Sequence, residues 1–585
     1  FQITDELVRQ AGFSDLSRVK VYGYGGALQP EILTDSYLRS TDDLQEVPQC
    51  IVDGRHLFYA RGPVSWTTSN NRTRNPYSDY GYYFLTESEG APLTVDEQTF
   101  IDGFYPDGIH YNSLYEVDDF AWYHSGRNLY DAQPFTPGVS RSYDIQAAGS
   151  PGSGMIIVAM TADAASTAQI SLNGVNVGTV AVTGKTTEYI KALGARATFS
   201  VSNISSSNAV TISQTSGGTM RLDHIVIHCA NPCGRPDLRG SDYASPEFVY
   251  RITNQDHHAD GPADMIILLP TGQKLRAQAE RLKELHEKHD GMSVRIVPAD
   301  ELYNEFSSGT PDATAYRRYL KMLYDRAATD EDMPRYLVLF GDGVWDNRMH
   351  TAASQGLSPD DFLLCFESEN SFSATDSYVA EDFFCLLDDG ERMQETNGNY
   401  LGKPDIAVGR FPVRNEEDAR TMVDKIETYL TKKNAGAWQN TIVMMGDDGN
   451  DNIHMKAADD IAKMLEETNP AFDVKRIMWD AYERTSSATG NTYPDVSRLV
   501  RQYMTSGALI MNYCGHGAAD MISHEKVIGI NDFRSIASAG LPLWVTASCD
   551  IMPFDSHEDN IGEAALFNKN GGAVAFFGTT RTVYT

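Results

Sequence analysis

The sequence predicts two structurally different parts: β structure over residues 1–260, and an α/β region with a largely parallel sheet from residue 261 onward. Two observations carry this. Before Gly261-Pro262, short alternating apolar runs are separated by Gly, Asn, Ser and Asp; after it, continuous apolar runs alternate with amphipathic helical stretches. The length of 585 residues adds that there is more than one core, because single cores stop growing at roughly 250–300 residues.

Within the first part, residues 1–111 form an expected N-terminal β-rich module. They hold Val19-Lys20-Val21-Tyr22-Gly23 and many aromatics. Residues 112–260 predict a β-sandwich. Met155–Met160 is a strand. Gln169–Leu172 and Val175–Val177 flank Asn173-Gly174, the strongest short hairpin signal. Ala197–Val201, Val210–Ile212 and Leu222–Ile227 continue the alternation.

In the second part Met265–Leu269 is a fully apolar strand. A helix follows with Leu275, Ala279, Leu282 and His286 on one stripe, and Gly291 is a stop. Further strands are expected at Val294–Val297, Tyr336–Phe340, Asp405–Val408, Thr441–Met445, Ala508–Tyr513, Leu543–Ala547 and Ala573–Phe577. Helices are expected near 312–327, 416–431 and 454–467. Such alternation means a parallel sheet covered on both faces. In these sheets ligands bind beyond the carboxyl ends of the strands.

Composition narrows the function. Lys and Arg number 48 against 80 Asp and Glu, a formal charge of -32, which argues against nucleic acid or anionic lipid as a partner. No apolar run reaches the ~18 residues of a membrane span. The chain opens on Phe1-Gln2-Ile3-Thr4 without a basic-then-apolar leader, so a signal peptide is expected to have been removed. The seven cysteines are no disulfide scaffold, although Cys229 and Cys233 are close enough in sequence for a small loop.

Two strand ends carry chemistry. Ala508–Tyr513 runs into Cys514-Gly515-His516-Gly517, and Leu543–Ala547 runs into Ser548-Cys549-Asp550. On neighbouring parallel strands, His516 and Cys549 emerge at one edge, where imidazole and thiol can share a proton. The thiolate is the nucleophile, and imidazolium favours it and later protonates a leaving amine. The N–H groups of Gly517 and Cys549 are candidates for an oxyanion hole. Cys514 is read as a packing residue within its strand. Asp447, Asp448, Asn450 and Asp451 follow one strand, and Asp342 and Asp346 follow another; both sets offer the oxygen ligands calcium takes.

Tyr513–Gly517, Thr546–Asp550 and Phe554-Asp555 resemble the gingipain family of cysteine peptidases. Within it, the PorU-type sortases of the Bacteroidetes type IX secretion system are the nearer resemblance. Thr375–Tyr378, Leu387–Gly390, Asp405–Val413, Asp447–Asn450 with His454-Met455, Asn570–Ala573 and Thr579–Tyr584 add to it, as do Val19–Gly26 and Phe58–Pro63 with Trp66. The resemblance implies a caspase-like α/β catalytic domain in two subdomains, here 261–435 and 436–585, the second carrying the pair and expected to be cut short at its C-terminal side. His516 carries over as base and acid, and Cys549 as nucleophile. Asp376 is implied as the acidic residue orienting His516, with Asp388 and Asp389 next in line. No cofactor is implied for the chemistry, and structural calcium is. A PorU-type member would cleave the C-terminal sorting domain from secreted cargo at the outer-membrane surface. It would pass the acyl group to an amine on anionic lipopolysaccharide, with the barrel protein PorV as partner. A secreted endopeptidase that uses water, and a non-catalytic surface binding protein, are the competing readings.

Overall fold

The computed structural model describes residues 1–583 except 69, 106–110, 241, 394, 397, 398, 401 and 489, with 395, 396, 399 and 400 described by backbone alone. Tyr584, which ends the motif begun at Thr579, lies outside the described residues.

Residues 1–111 fold into small antiparallel sheets: Gln2–Ile3 with Arg55–Phe58 and Gln49–Val52, Val19–Tyr22 with Phe84–Glu87, and the hairpin Val64–Thr68/Asn71–Arg74. Two four-stranded sheets then face each other. One is ordered Leu193–Ile204, Gly152–Ala162, Met220–Cys229, Asn112–Glu116; the other Val175–Val182, Ser166–Leu172, Ser207–Ser216, Ser140–Gln146. Ser166–Leu172 alternates buried and half-buried at every step. Its inward residues Ala168, Ile170 and Leu172 meet Ile156, Val158 and Leu222 in a dry core. Asn173 (φ 50°) and Gly174 (φ 80°) turn the hairpin, the positive φ pair of a type I′ turn.

The expected sandwich boundary at residue 260 is corrected. The last sandwich strand ends at Cys229, and the chain then returns to the first module. Leu238, Tyr243 and Phe248 pack into its cores, and Gln2 N–H donates to Ala244 O at 2.9 Å. The small Cys229–Cys233 loop that the spacing allows is not formed. Both are free thiols, Cys229 sealed in the sandwich core and Cys233 exposed.

The α/β region contains two parallel sheets. The first is ordered Val294–Pro298, Met265–Leu269, Tyr336–Phe340, Ala407–Phe411. The second is ordered Asp473–Met478, Thr441–Gly446, Ile510–Cys514, Leu543–Ala547, Ala575–Phe577. Apolar strands such as Met265–Leu269, buried at all five residues, pack against helices such as Arg276–His289 through Ala279 and Leu282. The strand expected at Asp405–Val408 lies instead at Ala407–Phe411. It carries Arg410, whose guanidinium is buried against Glu381 at 2.9 and 3.1 Å, so a charged residue interrupts the apolar run. Strand Asp473–Met478 escaped the sequence reading for a similar reason: it is an edge strand with Lys475 and Arg476 in it. Among the described residues no helix is long and apolar enough to cross a membrane.

One buried cluster ties the parts together. Arg581 makes a two-pronged ion pair with Asp555, one hydrogen bond measuring 2.9 Å, and reaches Glu367 at 3.7 Å and Ser125 Oγ at 2.9 Å. Gly126 N–H donates to Glu367 at 3.0 Å. Burial first, then the charge of Asp555, push the Glu367 carboxyl well above its usual range, which favours its protonated form beside the Asp555–Arg581 pair. Removing one partner of such a pair strands the other in the interior. Arg581→Ala should therefore lower the stability of the catalytic region by about 3–5 kcal/mol in denaturant unfolding. Arg498→Ala, which breaks an exposed pair with Asp495, should cost less than about 1 kcal/mol.

Candidate active site

The site is set by strand register. Gly446 pairs with Cys514, and Cys514 pairs with Ala547, in three adjacent parallel strands. Asp447 follows the first, His516 lies two residues past the second, and Cys549 two residues past the third. All three thus leave the sheet at its carboxyl edge.

Asp447 organises the loop. It is 1% exposed. One carboxylate oxygen accepts the backbone N–H of His516 at 2.7 Å and the Tyr513 hydroxyl at 3.2 Å. The other is 2.5 Å from His454 Nδ1 and accepts Gly449 N–H at 3.3 Å. Tyr513, pushed far above its ordinary pKa by burial and Asp447, stays a donor and also bonds His516 O at 2.7 Å. The His516 ring stacks on His524 with centroids 4.3 Å apart and lies edge-on to His454 at 5.1 Å. Burial, with His524 and His454 adding to it, lowers the His516 pKa against an opposing pull from Asp447, which favours the neutral imidazole that can take a proton.

Two glycines allow close packing around the pair. A Cβ on Gly449 would sit 2.6 Å from His516 Cδ2 and 2.7 Å from Nε2. A Cβ on Gly517 would clash with Ser548 Oγ and sit 2.6 Å from Ile551 Cδ1, so the Gly517 backbone lies directly against the Cys549 loop. Cys549 is half-buried. Its thiol points to the Val583 carbonyl, with Sγ 3.3 Å from the oxygen. The described contacts include no hydrogen bond between Cys549 and His516, and such bonds often form only with substrate in place. Asp550, at φ 49°, accepts a hydrogen bond from Thr582 at 2.8 Å. Cys514, half-buried at its strand end, has its thiol raised by burial and by Asp447, which disfavours the thiolate.

The structure does not bring Asp376 to His516. Asp376 is exposed in a turn where its own N–H donates to Ser373 Oγ at 3.2 Å. The carboxylate beside His516 is Asp447, which the sequence reading assigned to calcium; its place one residue past a strand was the signal for the other role. His454 stood in a recognised motif with no role given. His524 had no sequence signal, since it meets His516 only through the fold.

The calcium set disperses as well. Asp448 accepts the Tyr493 hydroxyl at 2.7 Å and faces Arg484 at 3.6 Å. Asn450 and Asp451 are exposed, in left-handed conformations that lead into helix Ile453–Thr468. Asp447, Asp448, Asn450 and Asp451 therefore do not fit a calcium ion. Asp342 pairs with Arg414, and Asp346 accepts the N–H and hydroxyl of Thr351, both at 2.7 Å. Each keeps one buried oxygen without a protein partner, an atom a cation or water would satisfy. Among the described residues, neither belongs to a convergent group of three His, Cys, Asp or Glu ligands.

A parallel α/β sheet carrying a thiol and an imidazole at matched strand ends defines the class, a cysteine peptidase. The chain belongs to peptidase family C25, whose family model matches residues 258–585. Among solved structures it is similar to dimeric latent PorU from Porphyromonas gingivalis, at 28% identity and a TM-score of 0.62, covering 75% of this chain and 49% of that one. Weaker likeness is found to the complex of the Porphyromonas gingivalis RgpB pro- and mature domains (16% identity, TM-score 0.37, 54% of this chain and 64% of that one) and to the Arg-specific gingipain R (15%, 0.39, 56% and 64%). The chain spans about half the length of the PorU chain it matches. A search of curated proteins gave no match.

Gly449→Ala should displace the His516 ring while leaving the sheet intact. A misplacement of ~1 Å costs about 10²-fold in rate, so kcat/KM for peptide cleavage should fall by about that factor with an unchanged circular dichroism spectrum. A variant with full activity would show that the imidazole is not held where the glycine allows.

Proposed function

We propose that the chain is a sortase-type cysteine peptidase resembling PorU. It cuts the C-terminal sorting domain from secreted cargo and transfers the cargo to an amine of anionic lipopolysaccharide. The observation that carries this reading is the PorU likeness over 75% of the chain, which is more than the part lying in residues 258–585 and so extends into the β-rich part.

In this mechanism His516 takes the Cys549 proton and Sγ attacks the scissile carbonyl carbon. The oxyanion is held by the N–H groups of Gly517 and Cys549. His516 then gives its proton to the leaving amine, and the thioester remains on Cys549. An acceptor amine attacks the thioester, loses a proton to His516, and Cys549 leaves as the thiol with that proton. Water in the same place gives hydrolysis. Asp447 acts through the His516 backbone and orients the loop. The steps use protein groups alone; a calcium ion at Asp342 and Asp346 would be structural. The cell surface of a Gram-negative outer membrane, with PorV as the barrel partner, is the setting this chemistry fits.

The test is incubation of the chain with a sorting-domain cargo and an amine acceptor, read by mass spectrometry. A cargo–acceptor adduct is expected, absent with Cys549→Ala and His516→Ala. Hydrolysis without an adduct would replace the sortase reading with an endopeptidase. No Cys549-dependent cleavage would overturn the assignment of the nucleophile.

A further inference from the structure

Two convergent groups of His and carboxylate ligands occur among the described residues: Glu116, Asp223 and His224, and Asp447, His454 and His516. The first already holds an arginine: Arg72 lies between its members, 3.3 Å from Asp223, 3.0 Å from His224 Nδ1 and paired with Glu116. In the second the one partner of the carboxylate that could be charged is a histidine: among the described residues no Lys or Arg forms an ion pair with Asp447, whose only ion-pair partner is His454. A carboxylate buried to this degree is costly without a positive charge beside it.

We propose that Asp447, His454 and His516 form a binding site for a zinc-type divalent cation that switches the peptidase off. One ligand atom from each residue lies within 4.8 Å of the others. Tetrahedral zinc with bonds of roughly 2.1 Å needs ligand atoms about 3.4 Å apart, so a shift of about 1 Å closes the site. Two imidazoles and one carboxylate suit zinc and not calcium, which takes oxygen ligands. Three protein ligands leave a fourth position for water.

Binding replaces the His454–Asp447 hydrogen bond by bonds to the metal: the cation takes the His454 lone pair and an Asp447 oxygen, and the single N–H of the neutral imidazole is carried by its other ring nitrogen. The metal also takes the His516 lone pair, which is then no longer available to the Cys549 thiol. Inhibition follows, and chelation restores the base. The inhibitory consequence rests on the role proposed above for His516; the metal site itself does not.

The experiment uses the full chain as its Cys549→Ala variant, which removes the thiol as a ligand. Zinc binding is followed by calorimetry after chelator treatment. Uptake of one equivalent is expected, weakened at least tenfold by a further His454→Gln substitution with the fold checked by circular dichroism. X-ray absorption at the zinc edge of the Cys549→Ala protein should show two imidazoles and only oxygen otherwise, which decides the matter even if His454→Gln does not fold. Loss of zinc binding in Cys549→Ala, undiminished binding in folded His454→Gln, or a single imidazole on the metal would each overturn the site. Zinc binding as expected, in a protein whose peptidase activity zinc leaves unchanged, would keep the site and overturn its action through His516.

Discussion

Cys514 lies between Gly446 and Ala547 in three parallel strands, and the chemistry of the site depends on that register. Parallel strands in register deliver successive residues to one edge. Shifting the Leu543–Ala547 strand by one residue would turn its side chains to the opposite face and carry Cys549 away from His516. The register is held by burial on both sides. Met511, Tyr513 and Trp544 are fully enclosed among the helices of the second sheet, and Ile442 and Met444 fill its other face. The apolar core therefore determines where the polar groups end up.

At that edge a single carboxylate does the local organising. Asp447 receives the His516 N–H, the Tyr513 hydroxyl, the Gly449 N–H and His454, which satisfies both of its oxygens in the interior. It fixes the path of the Gly515–Gly517 loop, and with it the direction of the imidazole. The Cys549 loop is anchored from elsewhere. Asp555, six residues beyond Cys549, joins Arg581, Glu367 and the Ser125–Gly126 turn, so the β-rich part and both α/β subdomains meet in this cluster. The chain from Glu367 to Thr375 is also strapped to the sandwich by the Ile190–Ser373 bridge and by Phe372 stacked on Tyr130. The sandwich is thus packed into the peptidase framework.

The parts legible in the sequence were those with local causes. The Asn173-Gly174 hairpin follows from backbone sterics at two residues. Strands Tyr336–Phe340 and Leu543–Ala547 fall on the residues expected, because a parallel strand covered by helices is mostly apolar over its length. His516 and Cys549 were singled out by combining residue type with strand ends, and the structure places both just beyond neighbouring parallel strands. The strand at Ala407–Phe411 shifted, because a buried Arg410–Glu381 pair looks polar in sequence. The 260 boundary failed because Tyr243 and Phe248 are aromatics whose partners lie well over a hundred residues earlier, in the first module.

The sequence by itself determined the order of β-rich and α/β parts, the apolar strands, and which thiol and imidazole stand at strand ends, since propensity and burial pattern act over a few residues. Only the tertiary structure decided which carboxylate lies beside His516: Asp447, bonded to its backbone N–H. It also brought His454 and His524 around the same ring and dispersed the acidic run expected to hold calcium. Those outcomes depend on contacts between residues far apart in the chain, and a run of acidic residues looks the same in sequence whether its side chains converge on one point or turn to separate partners.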